Sequence, residues 1–227
     1  MTKETSHYML RVLRLKLADE ICLFNGSGSE FMGQIVAIQN KRVEVAILQV
    51  ITDKKVESGL NITLVQSISR AERMDLTMQK AVELGVNRIV PVITEYSVVK
   101  LNQQRQQSRL LHWQQIIIAA AQQCGRVILP VLDAITDLPD WLTENSDKTD
   151  TLRVILHPNS HFSFHDCASS ITDLILLSGP EGGFSEHEVV AVTGQGFQAL
   201  SLGNRILRTE TAALTALSIA QHRWGDL

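Results

Sequence analysis

The sequence predicts an α/β protein: a parallel sheet layered with helices over residues 70–227, preceded by a small antiparallel β-barrel or sheet over residues 1–69. Three observations predict it. From about residue 60 onward, apolar β-rich runs alternate with helical segments, the pattern of strands joined by crossover helices. The runs RVIL (153–156) and LILLS (174–178) are apolar without alternation, as strands covered on both faces are. Ahead of them, three β-rich runs follow one another with only turns between, as in a small barrel.

The elements follow in order. Residues 6–16 read as a short basic amphipathic helix, capped by Ser6, with Met9, Val12 and Leu13 on one face. The strands 20–24, 31–39 and 43–51 come next, separated by Asn25-Gly26-Ser27-Gly28 and Asn40-Lys41. ITLVQSI (62–68) is a strand. Residues 74–85 form a helix closed by Gly85, which is free to take the left-handed conformation past a helix end. RIVPVI (88–93) is a strand, and a long helix over 105–124 stops at Gly125. VILPVL (127–132) is strand-like, and a short helix covers 137–144. After the two buried strands come a helix at 185–193, a strand at 197–202 and a closing helix at 209–224. Ser69-Arg70-Ala71 marks the expected domain boundary.

Composition narrows the functional classes. Of 227 residues, 44% are hydrophobic and 20% charged, enough apolar material to fill a core, which excludes a disordered chain. No apolar run approaches the roughly 20 residues that cross a bilayer. The start, MTKETSHYMLRVLRLK, carries no apolar signal core. Cys22, Cys124 and Cys167 form no CxxC pair, so reduced thiols in a cytoplasmic protein are expected, with no metal and no membrane. The net charge of −3 argues against a strongly basic nucleic-acid binder. That average hides a division: residues 1–70 carry +2 and residues 71–227 carry −5. Residues 133–150 alone hold −5, so the rest of the second part is neutral and modest, localised phosphate contact remains open.

Two segments stand where an α/β sheet binds ligands, at the carboxyl ends of strands. The first, Ser178-Gly179-Pro180-Glu181-Gly182-Gly183-Phe184, lets the backbone bend tightly and approach a ligand; a plain strand-to-helix turn accounts for it equally well. The second runs from Leu202 through Ala212. There Thr209 is a helix cap and Glu210 either a helix-dipole partner or a catalytic carboxylate. Arg205 and Arg208 flank an apolar Ile206-Leu207 pair, an arrangement suited to gripping an anion beside a ring. His157, His161 and His165 are spaced by four, but Pro158 breaks the helix that would align them. There is no P-loop, no GxSxG elbow, and Gly194-Gln195-Gly196 ends a helix instead of opening one.

GPEGGFS together with LGNRILRTETA resembles the ribosomal RNA small subunit methyltransferase E family of the SPOUT superfamily. The likeness covers nearly the whole chain and extends to LRVLRL (10–15), QKAVELGV (79–86), SVVK (97–100) and AQQCGR (121–126). The resemblance implies a PUA-like β-barrel followed by an α/β domain with a trefoil knot. It implies methylation of uridine N3 in 16S rRNA with S-adenosylmethionine, and a cytoplasmic homodimer acting on 16S rRNA or the small ribosomal subunit. Members usually carry more chain before the motif that begins here at His7, so the barrel is expected to be truncated at its N-terminus or to have its first strand replaced.

Carried over residue by residue, the expected cofactor pocket comprises His157, Pro158, Leu177, Ser178, Gly179, Pro180, Glu181, Gly182, Gly183, Leu202, Gly203, Asn204, Arg205, Ile206 and Leu207. Methyl transfer to uracil N3 requires loss of a weakly acidic proton. Arg208 is the candidate to stabilise the resulting anion, and Glu210 or Glu181 to accept the proton. Arg11, Arg14, Lys16, Lys100 and Arg126 are candidate RNA contacts. The competing readings are a non-catalytic RNA-binding relative, a methyltransferase of another RNA, and a nucleotide-dependent dehydrogenase. The last lacks the dinucleotide fingerprint after an early strand.

Overall fold

The computed structural model describes residues 1–52, 57–97, 102–146 and 151–227. Its first unit comprises Met1–Val56 together with Gly125–Leu129. Helix α1 (Lys3–Arg11) precedes three antiparallel strands, β1 (Glu20–Phe24), β2 (Glu30–Gln39) and β3 (Arg42–Ile51), in the order β1-β2-β3. Asn40 and Lys41 both take left-handed conformations, with φ of 49° and 62°. That is the twist a two-residue hairpin needs to return β2 into β3. Met9, Ile35 and Val43 are buried at the centre of this unit, with Leu10, Leu15, Ile21 and Val45 packed against them.

The helix differs from its expected course. It starts at Lys3, capped by Thr2, whose side chain accepts the Thr5 amide at 3.1 Å. Ser6 is no cap: it is buried, and its Oγ accepts the Val43 amide at 3.0 Å. Val12 and Leu13 are exposed, because the helix ends at Arg11 and Arg14 turns left-handed at φ 56°. VILPVL divides in two. Ile128 bridges Ser27, and the Leu129 amide donates to Gly26 at 3.1 Å, within the first unit. Only Val131–Leu132 joins the second unit's sheet.

The second unit comprises Glu57–Cys124 and Pro130–Leu227. Its strands are β4 (Asn61–Ser67), β5 (Arg88–Ile93), β6 (Val131–Leu132), β7 (Thr136–Asp137), β8 (Leu152–Leu156), β9 (Asp173–Ser178) and β10 (Gln198–Leu200). All pair in parallel in the order β10-β8-β9-β4-β5-β6, with β7 also on β5. Because β4 lies between β9 and β5, the units divide near residue 57 and not at 69–70. The shift from short antiparallel runs to buried apolar ones near residue 60 was therefore the better marker.

Helices cover both faces of this sheet. Strand alternation directs Val65, Val90, Val92, Ile155, Ile175 and Leu177 to one face. There they meet Leu138, Trp141 and Leu142 of α4 (Leu138–Glu144) and Val192 of α5 (Glu186–Gly194). Elsewhere α2 (Ala71–Glu83) packs against α3 (Gln103–Cys124) and α6 (Thr209–Trp224), burying Met74, Met78, Trp113, Ala213 and Leu217. Each fully buried aliphatic side chain contributes about 1.5–3 kcal/mol. Buried Gln221 of α6 ties the end of α2 in place. Its Nε2 donates to the Leu84 carbonyl at 2.9 Å, while the Ser58 hydroxyl donates to its Oε1 at 2.7 Å. Gly85 follows with φ +78°, as expected of a residue past a helix end.

Among the described residues no helix is long and apolar enough to cross a membrane. None of the three cysteines forms a disulfide. Cys22 is exposed, whereas Cys167 is buried and burial pushes its thiol pKa up. Fewer thiolates form there at a given pH, so mass spectrometry after brief iodoacetamide treatment at pH 8 is expected to find Cys22 alkylated well before Cys167. The opposite order would contradict this packing.

Candidate functional site

Because β8, β9 and β10 run in parallel, their carboxyl ends open on one edge of the sheet. The chain leaves β8 at His157-Pro158, β9 at Gly179 and β10 at Ser201, and these loops enclose a cavity of about 490 Å³. The His157 amide donates to the Leu200 carbonyl at 2.9 Å and the Ser201 amide to Phe162 at 2.8 Å, fixing the loops after β8 and β10 to each other. The glycine-rich loop needs its glycine at 179, where a Cβ would lie 2.9 Å from the Phe184 ring. Gly203 holds φ +103°, a left-handed conformation that suits glycine.

Most of the expected cofactor residues line this cavity: His157, Pro158, Ser178, Gly179, Pro180, Glu181, Gly182, Gly183, Leu202, Gly203, Arg205, Ile206 and Leu207. Two do not. Leu177 is wholly buried in the core beneath α4 and α5, because alternation along β9 sends it to the opposite side from Ser178. Asn204 is exposed and outside the lining. Arg208 and Glu181 line the cavity, whereas Glu210 stands behind it in the first turn of α6. Thr209 is not the cap of α6; Arg208 holds that position. The Thr209 hydroxyl instead donates to the Gly179 carbonyl, joining the two motif-bearing loops, and its oxygen accepts from Gln66 Nε2 at 3.3 Å.

Arg73, in the first turn of α2, was not foreseen. It lines the cavity and its Nη1 donates to Glu181 Oε1 at 3.0 Å, while its Nε lies 3.9 Å from Glu210 Oε2. The Arg70 amide also donates to Glu181 Oε1, at 3.3 Å. Both carboxylates considered as proton acceptors thus share one guanidinium. The available clue was position: Arg73 follows closely on β4, the strand next to β9, so its helix starts at the same sheet edge.

The proposed RNA contacts divide. Arg11, Arg14 and Lys16 are exposed in the first unit. Arg126 is only 4% exposed, so its guanidinium is not offered to a phosphate chain. Lys100 lies outside the described residues. Among the described residues no three His, Cys, Asp or Glu side chains converge on a metal position; His157 lines the cavity without His161 or His165.

Comparison with known proteins gives a consistent result. The family description "RNA methyltransferase domain" matches residues 56–221, and "RNA methyltransferase PUA domain" matches residues 2–48. The chain is 34% identical over 227 residues to ribosomal RNA small subunit methyltransferase E of Buchnera aphidicola subsp. Schizaphis graminum, covering all of this chain and 91% of that protein. Among solved structures, the Legionella pneumophila protein Lpg2936, with SAM bound, superposes with a TM-score of 0.94 at 41% identity. The Neisseria gonorrhoeae ribosomal RNA small subunit methyltransferase E bound to S-adenosyl methionine does so at 0.91 and 38%. Each comparison covers all of this chain and 92% of the other.

Proposed function

The chain belongs to the ribosomal RNA small subunit methyltransferase E family, and from that membership we propose that it is an S-adenosylmethionine-dependent enzyme that methylates N3 of a uridine in 16S rRNA. One observation carries the reading: the two motif-bearing loops, 178–184 and 202–209, jointly wall a single cavity at the strand ends.

The residues present fit the cofactor. A cavity of about 490 Å³ falls within the roughly 300–1,000 Å³ usual for such ligands. Leu202, Ile206 and Leu207 supply apolar walls for an adenine ring. The loop backbones supply hydrogen-bonding groups, and among the described residues the buried Ser178 hydroxyl has no hydrogen-bond partner. A Cβ at Gly182 would come within 2.9 Å of Tyr96, so this wall is built close against its neighbour. Bound there, S-adenosylmethionine supplies an electrophilic methyl group with a neutral thioether leaving group. Substituting Gly179→Val is expected to push Phe184 into the cavity and weaken cofactor binding roughly tenfold or more, measured by calorimetry on folded protein. Unchanged affinity would remove this loop from the site.

The chain's own residues then divide the work. Arg208, exposed at the mouth of the cavity, pairs with the imide anion left when uracil N3 loses its proton. Glu181 lines the cavity and is the proposed proton acceptor; Glu210 supports it from behind Arg73. Arg11, Arg14 and Lys16 of the PUA-like unit hold phosphates of the RNA. Register shifts in β2 at Met32/Gly33 and Ile35/Ala37 support a strand bent toward barrel closure. A trefoil knot is supported by the course after β10: the chain returns past β8 to reach Gly179 beyond β9. The working form is a homodimer in the cytoplasm.

The test is labelled methyl transfer to 16S rRNA and to small subunits from a strain lacking the gene, with mass-spectrometric mapping of the product. N3-methyluridine at one position supports the proposal. Cofactor binding without transfer to either substrate overturns it in favour of a non-catalytic RNA-binding relative, and transfer to another RNA replaces the substrate.

A further inference from the structure

The Arg73 cluster holds an unbalanced charge beside the cavity. One guanidinium serves two carboxylates, leaving one formal negative charge among groups whose side chains are 29%, 19% and 12% exposed for Arg73, Glu181 and Glu210. Glu181 Oε1 is held by Arg73 at 3.0 Å and by the Arg70 amide at 3.3 Å, but its buried Oε2, like Glu210 Oε2, has no hydrogen-bond partner among the described residues. Glu210 lies 3.9 Å from the same guanidinium, beyond hydrogen-bond distance, so its charge is the less neutralised. The N-terminus of α6, worth about half a positive unit charge, offsets only part of it. Arg205 and Arg208 also line the cavity but are exposed, where water screens them; a half-buried charge acts through a lower effective dielectric.

We propose that Glu181 and Glu210, held by Arg73, make this cavity select the cationic methyl-bearing cofactor over its neutral product. The inference rests on the methyltransferase reading above. S-adenosylmethionine carries a positive sulfonium and S-adenosylhomocysteine an uncharged thioether, and the two are otherwise nearly identical. A residual negative charge on the cavity wall favours the first and adds nothing for the second. Once the methyl group has left, that attraction is gone and the product is free to exchange. Glu210 acts here as a specificity-determining residue without lining the cavity.

The test is binding, not turnover. Calorimetry on the full chain gives dissociation constants for S-adenosylmethionine, for S-adenosylhomocysteine, and for an analogue with a primary ammonium in place of the sulfonium. Glu210→Gln and Glu181→Gln keep size and hydrogen-bonding reach while removing charge. Each is expected to weaken S-adenosylmethionine about fivefold and to leave S-adenosylhomocysteine within about twofold, with the ammonium analogue following the sulfonium. Equal losses for charged and neutral ligands, or a ratio unchanged in both variants, would overturn the inference while leaving the function intact. Should one variant not fold, the ratio in the other decides. If wild-type protein binds none of the three, both readings fall.

Discussion

Replacing Arg208 by Ala is expected to slow methyl transfer by about 10²–10³-fold while leaving the protein folded. Arg208 is the N-cap of α6, but its side chain makes no capping hydrogen bond. The cap's structural duty is done by its backbone, whose carbonyl accepts the Ala212 amide at 2.8 Å, and alanine retains that bond. The side chain is exposed at the cavity, so truncation leaves no hole in the core. In the proposed mechanism, what disappears is the positive group that pairs with the developing uracil anion. The measurement is the initial rate of labelled methyl incorporation, with thermal unfolding and cofactor affinity recorded in parallel. Lysine at this position should restore part of the rate, since it keeps the charge but loses the planar two-pronged geometry. Wild-type turnover in the Ala variant would remove Arg208 from the chemistry.

The second large effect is on stability. Trp113, midway along α3, is 1% exposed, and α3 packs on α2, the helix that carries Arg73. Trp113→Ala is expected to cost about 3–5 kcal/mol, because the neighbouring side chains close the void only partly. For a protein of this size that lowers the melting temperature by roughly 10 °C. Urea unfolding followed by circular dichroism measures it. At temperatures where the variant remains folded its cofactor affinity should match wild type, separating loss of packing from loss of the site. A cost below about 1 kcal/mol would mean that α3 contributes little to the core.

The pattern of residues made most of this architecture legible. Buried parallel strands announce themselves as unbroken apolar runs, and Gly85 marked a helix end through its conformational freedom. The motif-bearing loops were visible because glycine, proline and paired arginines are unusual at a strand end. What stayed hidden was non-local. Arg73 meets Glu181 across 108 positions of chain, and only the neighbouring places of β4 and β9 in the sheet, which no local pattern reveals, bring them together. Ser6 looked like a cap because serine favours that role, yet its partner is Val43, 37 residues away. Leu177 was assigned to the pocket as part of a contiguous motif, whereas strand alternation sends neighbouring residues to opposite faces. Arg126 shows the same limit: an arginine at a predicted strand end reads as a surface group until its burial is known.

Residues 125–129 belong to the first unit, although the chain has by then built much of the second. This bears on how the protein is made. Domains emerging from the ribosome usually fold in order, at about 5–20 residues per second. Here the N-terminal unit completes its contacts only after some 73 further residues have been synthesised, a delay of about 4–15 s. During that interval Gly26 and Gly28 await Leu129 and Val127. The two units are therefore coupled in biosynthesis, and a fragment cut at residue 56 lacks the segment that finishes its own fold.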